Sequence, residues 1–173
     1  MLKLFGITAI AVTLVGCAAP ASHQGMTVAS SDVSPLKSEK LNQQVYVRNV
    51  TGGRDTNPAW ISQVDSQSFR TALEASLSSL GYRSTSPDAK FRVDANLQDL
   101  HQPGFGLTFN VQSTVGYTVT TESGSNNLPV TAVGTATISD AFIGAERMKI
   151  ANERSIKENI KAFIARLTKQ FGN

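Results

Sequence analysis

Few residues in this chain are of types that do covalent chemistry. Among 173 residues there are one cysteine and two histidines, His23 and His101. One cysteine excludes a disulfide framework and a Cys-rich zinc site. Nucleophilic catalysis needs a hydroxyl or thiol beside a base, and no G-x-S-x-G elbow is present. His101 has Asp99 two residues before it, but it reads as a polar loop histidine beside Pro103 and Gly104. Asp94 and Asp99 are the nearest approach to a glycosidase carboxylate pair. Asp94 alternates with apolar neighbours, which places it on the wet face of a strand. Thr51-Gly52-Gly53-Arg54 lacks the Lys-Ser/Thr of a phosphate loop, and Gly104-Phe105-Gly106 lacks the third glycine of a dinucleotide fingerprint. The expectation is a protein that is not an enzyme and holds no metal or cofactor.

Cys17 itself has an informative setting. Lys3 precedes an apolar stretch, Leu4 to Val15, which is shorter than the roughly 20 residues needed to cross a bilayer and has the proportions of a secretory signal. Leu14-Val15-Gly16-Cys17 closes it, followed by Ala18-Ala19-Pro20. This tetrapeptide resembles the lipobox of bacterial lipoproteins. The resemblance implies a signal peptide over 1–16, cleavage before Cys17, and several acyl chains on that cysteine. More than one chain makes an anchor stable, at about 0.8 kcal/mol per buried methylene. In such lipoproteins Asp after the cysteine favours the inner membrane. Ala18 departs from that signal, so the expected location is the periplasmic face of the outer membrane.

From 17 to 44 the chain is small, polar and interrupted by Pro20 and Pro35, which reads as a flexible tether. Coil scaling gives it a reach of roughly 30 Å. His23 would then be a solvated tether residue. Met26-Thr27-Val28 is the one stretch able to dock instead, along a sheet edge.

Residues 45–173 carry regular periods. Val45 to Val50 reads as a strand, and Asp65 or Ser66 can cap a helix whose Phe69, Leu73, Leu77 and Leu80 form one stripe ending at Gly81. Phe91, Val93, Ala95 and Leu97 alternate with polar residues. A longer alternation runs from Leu107 to Thr120 and returns from Val130 to Ile138, with Glu122 to Asn127 read as a connection longer than the tightest turns. Ile156, Ile160, Phe163, Ile164, Leu167 and Phe171 draw the stripe of a closing helix that starts between Ala145 and Asn152. The order β-α-β-β-β-α predicts an α+β fold, a small mainly antiparallel sheet with two helices packed on one face.

With FRTALEASLSSLGY, FRVDANLQ and ANERSIKENIKAFIARL as the matching blocks, this pattern resembles periplasmic lipoproteins of the YajG type and the lipopolysaccharide-assembly lipoprotein LptE. Its front half also resembles LpoB-type activators of peptidoglycan synthases. The resemblance implies an α+β domain without catalysis that acts by touching other envelope components.

Two surfaces stand out. Between Gly104 and Ser139 the only charge is Glu122, so the outward row Thr108, Asn110, Gln112, Thr114 and Thr118 is neutral and suits a protein partner of the envelope. On the closing helix Arg147, Lys149, Arg154, Lys157, Lys161, Arg166 and Lys169 outnumber Glu146, Glu153 and Glu158. Arg154, Lys157, Lys161 and Arg166 offer a second reading, contact with anionic lipid or lipopolysaccharide phosphates. Nucleic acid is not expected as a partner outside the cytoplasm.

Overall fold

The computed structural model describes residues 18–33, 38–57 and 61–172. Cys17, the signal segment and Trp60 therefore lie outside the described residues. Strand β1 (Val45–Thr51) leads into a long crossover to the next strand, and a helix is its main element. Ahead of β1, a single helical turn α1 (His23–Met26) and two 3-10 turns, Ser30–Asp32 and Glu39–Leu41, belong to the N-terminal segment. Helix α2 (Ser66–Ser79) starts on Asp65, whose carboxylate accepts from the Ser68 N–H at 2.7 Å, and stops at Gly81 with φ +75°. Three strands follow, β2 (Phe91–His101), β3 (Thr108–Thr121) and β4 (Gly124–Thr137), then helix α3 (Gly144–Phe171).

The four strands form one sheet in sequence order, with β1 parallel to β2 and the rest antiparallel. The fold is α+β as expected. Both long helices lie on one face, and Phe69, Leu73, Leu77, Ile156, Ile160, Phe163 and Ile164 are fully buried against Val93, Val115 and Val119. At Gly134 the backbone of α3 touches the sheet: a Cβ there would stand 2.1 Å from the Ser155 N and 2.4 Å from the Ala151 O. Only glycine permits that approach.

Two expectations need correction. The β3–β4 hairpin is tighter than its composition suggests, since Thr121 pairs with Gly124 and only Glu122 and Ser123 turn the chain. The polar residues beyond extend the strand because each finds a side-chain partner: Ser125 on Thr120 (3.2 Å), Asn127 on Thr118 (3.0 Å) and Asn126 on Gln170 (3.1 Å). The larger correction concerns residues 17–44. Its described parts are packed rather than flexible, and Ala18, Ala21, Met26, Val28, Val33 and Leu41 are buried. Ser22 donates from both N–H and hydroxyl to the Glu153 carboxylate, at 2.8 Å each. The Val28 N–H donates to Ser76 Oγ and its carbonyl accepts from Ser79 Oγ, both at 2.9 Å. The segment docks across the helices, not along a sheet edge. His23, in α1, is half-buried rather than a freely solvated tether residue.

Candidate functional surfaces

The strand pleat sends alternate residues of β3 to opposite faces. Phe109, Val111, Ser113, Val115, Tyr117 and Val119 are buried beneath α3, so Thr108, Asn110, Gln112, Thr114 and Thr118 share the face that no helix covers. The structure brings all five into one row. Across the β3–β4 ladder they face Thr137, Thr135, Val133, Thr131 and Asn127. Thr135 donates to Asn110 at 2.7 Å, Thr114 and Thr131 share a bond of 3.2 Å, and Thr118 donates to Asn127 at 3.0 Å. The row is thus a fixed ladder of small neutral groups with an exposed Val133 in the middle. Toward β1 it gives way to charge, the Arg48–Asp94 ion pair. His101 and Asp99 lie on this same outer face, opposite Gln112 and Thr114, and both are exposed.

Strand addition at either edge meets groups already in place. Arg70 donates to the Val47 and Arg48 carbonyls beside β1 (3.1 and 3.2 Å), and the Val45 N–H and C=O pair with Tyr82 and Ser84. On the outermost strand β4, Arg154 donates to the Thr135 carbonyl at 2.7 Å and Arg166 to that of Pro129. The broad face, not an edge, is what the sheet offers.

The basic helix looks different in three dimensions. Arg147 is buried, donating to the carbonyls of Ala141 (2.8 Å), Phe142 (3.2 Å) and Gly106 (3.0 Å), with its guanidinium 4.9 Å from the Phe109 ring centroid. Lys149 bonds Glu146 at 3.1 Å, which with nearby Glu153 holds its ammonium above the usual lysine range. Arg154 pairs with Asp140 at 2.6 Å, and the bond keeps that carboxyl well below its usual range and raises the guanidinium. Lys157 reaches Asp32 at 3.0 Å and lowers its pKa. Lys161 stands 3.8 Å from Glu158. Each of Arg154, Lys157, Lys161 and Arg166 therefore already meets a group of this chain.

A buried polar cluster under the hairpin has no counterpart in the sequence reading. Asn159 accepts from the Tyr117 hydroxyl at 3.0 Å and donates to the carbonyls of Val130 (3.0 Å) and Ser113 (3.2 Å). Ser155 donates to Ser113 Oγ at 2.9 Å. Burial pushes the Tyr117 phenol well above its ordinary value, so it remains a donor, and its ring stacks on Phe163 at 3.9 Å. Ser155 and Asn159 stand one helical turn apart inside α3, and that spacing of poor helix formers is the signal that could have revealed the cluster. Its polar groups satisfy one another, which makes it structural rather than reactive.

Among the described residues no group of three or more His, Cys, Asp or Glu side chains could hold a metal ion. No described helix is long and apolar enough to cross a membrane. A polar cleft of about 140 Å³ lies between the ends of β1 and β2, lined in part by Arg54, Gln63, Asp99 and Gln102.

Comparison with known proteins gives a fold and not a family. No family model and no curated protein matches the chain. Among solved structures, it is similar to a candidate lipoprotein from Caulobacter crescentus CB15, with a TM-score of 0.50 and 11% identity over 75% of this chain and 91% of that one. It is equally similar to a Xanthomonas campestris protein of the DUF330 family, with a TM-score of 0.50 and 8% identity over 78% and 91% of the two chains. The architecture is therefore one that a candidate bacterial lipoprotein adopts, while the finer YajG-type, LptE and LpoB-type likeness rests on sequence pattern.

Proposed function

We propose that this chain is a lipid-anchored, non-catalytic accessory protein of the cell envelope. It is held by acyl chains on Cys17 at the periplasmic face of the outer membrane and binds an envelope protein through the outer face of its sheet. The observation that carries this reading is the uncovered neutral ladder of β3 and β4. Large sheet faces in small domains are ordinarily half-solvated. Here the β3–β4 half of the face carries no charge, and three of its cross-strand pairs are hydrogen-bonded to one another. A partner can therefore cover it without stripping water from an ion. The alternative, lipopolysaccharide or lipid binding through the closing helix, has less support, because Asp32 and Asp140 already neutralise two of its cations.

The test is a pair of surface variants followed by crosslinking and mass spectrometry in intact cells. Thr108→Lys with Thr118→Lys should remove the captured partner while leaving the fold intact. Charge reversal at Lys157, Lys161 and Arg166 should leave it. The reverse pattern, with lipopolysaccharide binding lost only on charge reversal, selects the alternative. Cys17→Ala tests the anchor: an unchanged membrane fraction would remove it.

A further inference from the structure

The strongest unassigned feature is a set of large apolar side chains held in the open at one end of the molecule. Phe105 is 92% exposed and Phe142 85%, with Leu107 at 69%, Ile143 at 52% and Ile138 at 44%. They sit on two loops, one entering β3 and one joining β4 to α3. Thr108 pairs with Thr137, so both loops leave the sheet at the same end. Their backbones are not loose. Arg147, buried between them, donates to Gly106 on one loop and to Ala141 and Phe142 on the other. A buried cation without a carboxylate is expensive, and here carbonyl dipoles and the Phe109 ring compensate it. The arrangement fixes two loops while leaving their phenyl rings in water, and an exposed apolar patch of that kind marks a contact surface.

The course of the N-terminal segment says what the contact is. Ser38 bonds the Gly172 carbonyl at the far end of α3, Asp32 meets Lys157, and Ser22 meets Glu153. Ala21 then donates to the Gln63 carbonyl, and Gln63 bonds Gln102, three residues before Phe105. Read toward its start, the segment advances to the end of the molecule that carries the apolar loops. Ala18 is already buried, and Cys17 is the next residue toward the start of the sequence.

Resting on the anchor proposed above, we infer that this end is seated in the lipid interface. Phe105, Leu107, Phe142 and Ile143 enter the boundary between headgroups and acyl chains and fix the tilt of the domain. Interfacial apolar groups reach about 5–10 Å into that boundary. The acyl chains supply the attachment, and the loops supply the orientation.

The test uses the mature acylated chain in vesicles of phosphatidylethanolamine and phosphatidylglycerol. A single environment-sensitive fluorophore is placed through Phe105→Cys or, at the opposite end, Ser123→Cys, since the native cysteine is blocked by its acyl chains. Vesicle flotation and intact mass report the anchor; quenching by lipids brominated near the top of the acyl chain reports the seat. The label at 105 should shift to the blue and be quenched about twofold or more, and the label at 123 should not. Adding Phe142→Asp and Ile143→Asp should remove most of that quenching without loss of flotation. Flotation with an unquenched label at 105 overturns the inference and leaves the anchor standing. Quenching that survives the aspartates also overturns it, because mere nearness would then explain the signal. A blue shift without vesicles that grows with protein concentration assigns the loops to a second copy instead. A chain that is not acylated and does not float overturns both readings.

Discussion

Asn159 and Ile160 are neighbours on α3, both fully buried, and they do opposite work. Ile160 belongs to the stripe with Ile156, Phe163, Ile164 and Leu167 that fills the space between the helices and β1–β3. Asn159 lies with Ser155 on the strip that meets the hairpin, where Gly134 lets the helix backbone come into contact with the strand. The apolar half supplies most of the burial free energy and tolerates many registers, because dispersion and water exclusion are not directional. The polar half accepts one register only, since a helix shifted by one residue would leave buried donors and carbonyls without partners. One half holds α3 down; the other says where.

Four substitutions sharpen that contrast. Ile160→Ala should be the most destabilising, by about 3–4 kcal/mol, from lost burial plus a cavity the sheet cannot close. Urea unfolding should show a lower midpoint with an unchanged slope. Asn159→Ala should cost about 2 kcal/mol by leaving the Tyr117 hydroxyl and Val130 carbonyl short of partners. Adding Tyr117→Phe should cost less than the sum of the two single changes, because the two groups share a bond; strict additivity would contradict the directional role given to Asn159. The smallest effect belongs to the exposed Asp140–Arg154 pair. Its folded carboxyl is held below the ordinary value, so the stabilisation is present above about pH 4 and is lost as pH falls through the depressed value. Asp140→Asn should therefore lower Tm slightly at neutral pH, and the gap to the native chain should close on acidification. A gap that widened in acid would reverse the assigned sign.

What was legible from the sequence follows the same division. The strand alternation at Phe91, Val93, Ala95 and Leu97 and the stripe from Ile156 to Leu167 place residues in the core, because apolar periodicity reports which face leaves water. The row from Thr108 to Thr118 was legible for the same reason. Directional contacts between residues far apart in the chain leave no period. Ser22 meets Glu153, and Val28 meets Ser76, so a stretch with the composition of a tether packs as part of the domain. Arg147 reads as a surface cation because its partners are loop carbonyls, which any sequence supplies. The turn at Glu122 and Ser123 was hidden by Ser125, Asn126 and Asn127, turn-forming types that here serve as strand residues with side-chain partners.

The hairpin has one more consequence. β3 and β4 each run 14 residues, about 46 Å at 3.3 Å per residue. In the seating proposed above, Thr108 and Thr137 lie at the lipid-facing end and the turn at Glu122 and Ser123 at the summit, so the height of the domain would be set by a rigid ruler rather than by a leash. Such a ruler is graduated in pairs of residues. Lengthening both strands by two raises the summit about 7 Å and keeps the same row facing outward, whereas lengthening by one turns that row inward beyond the insertion.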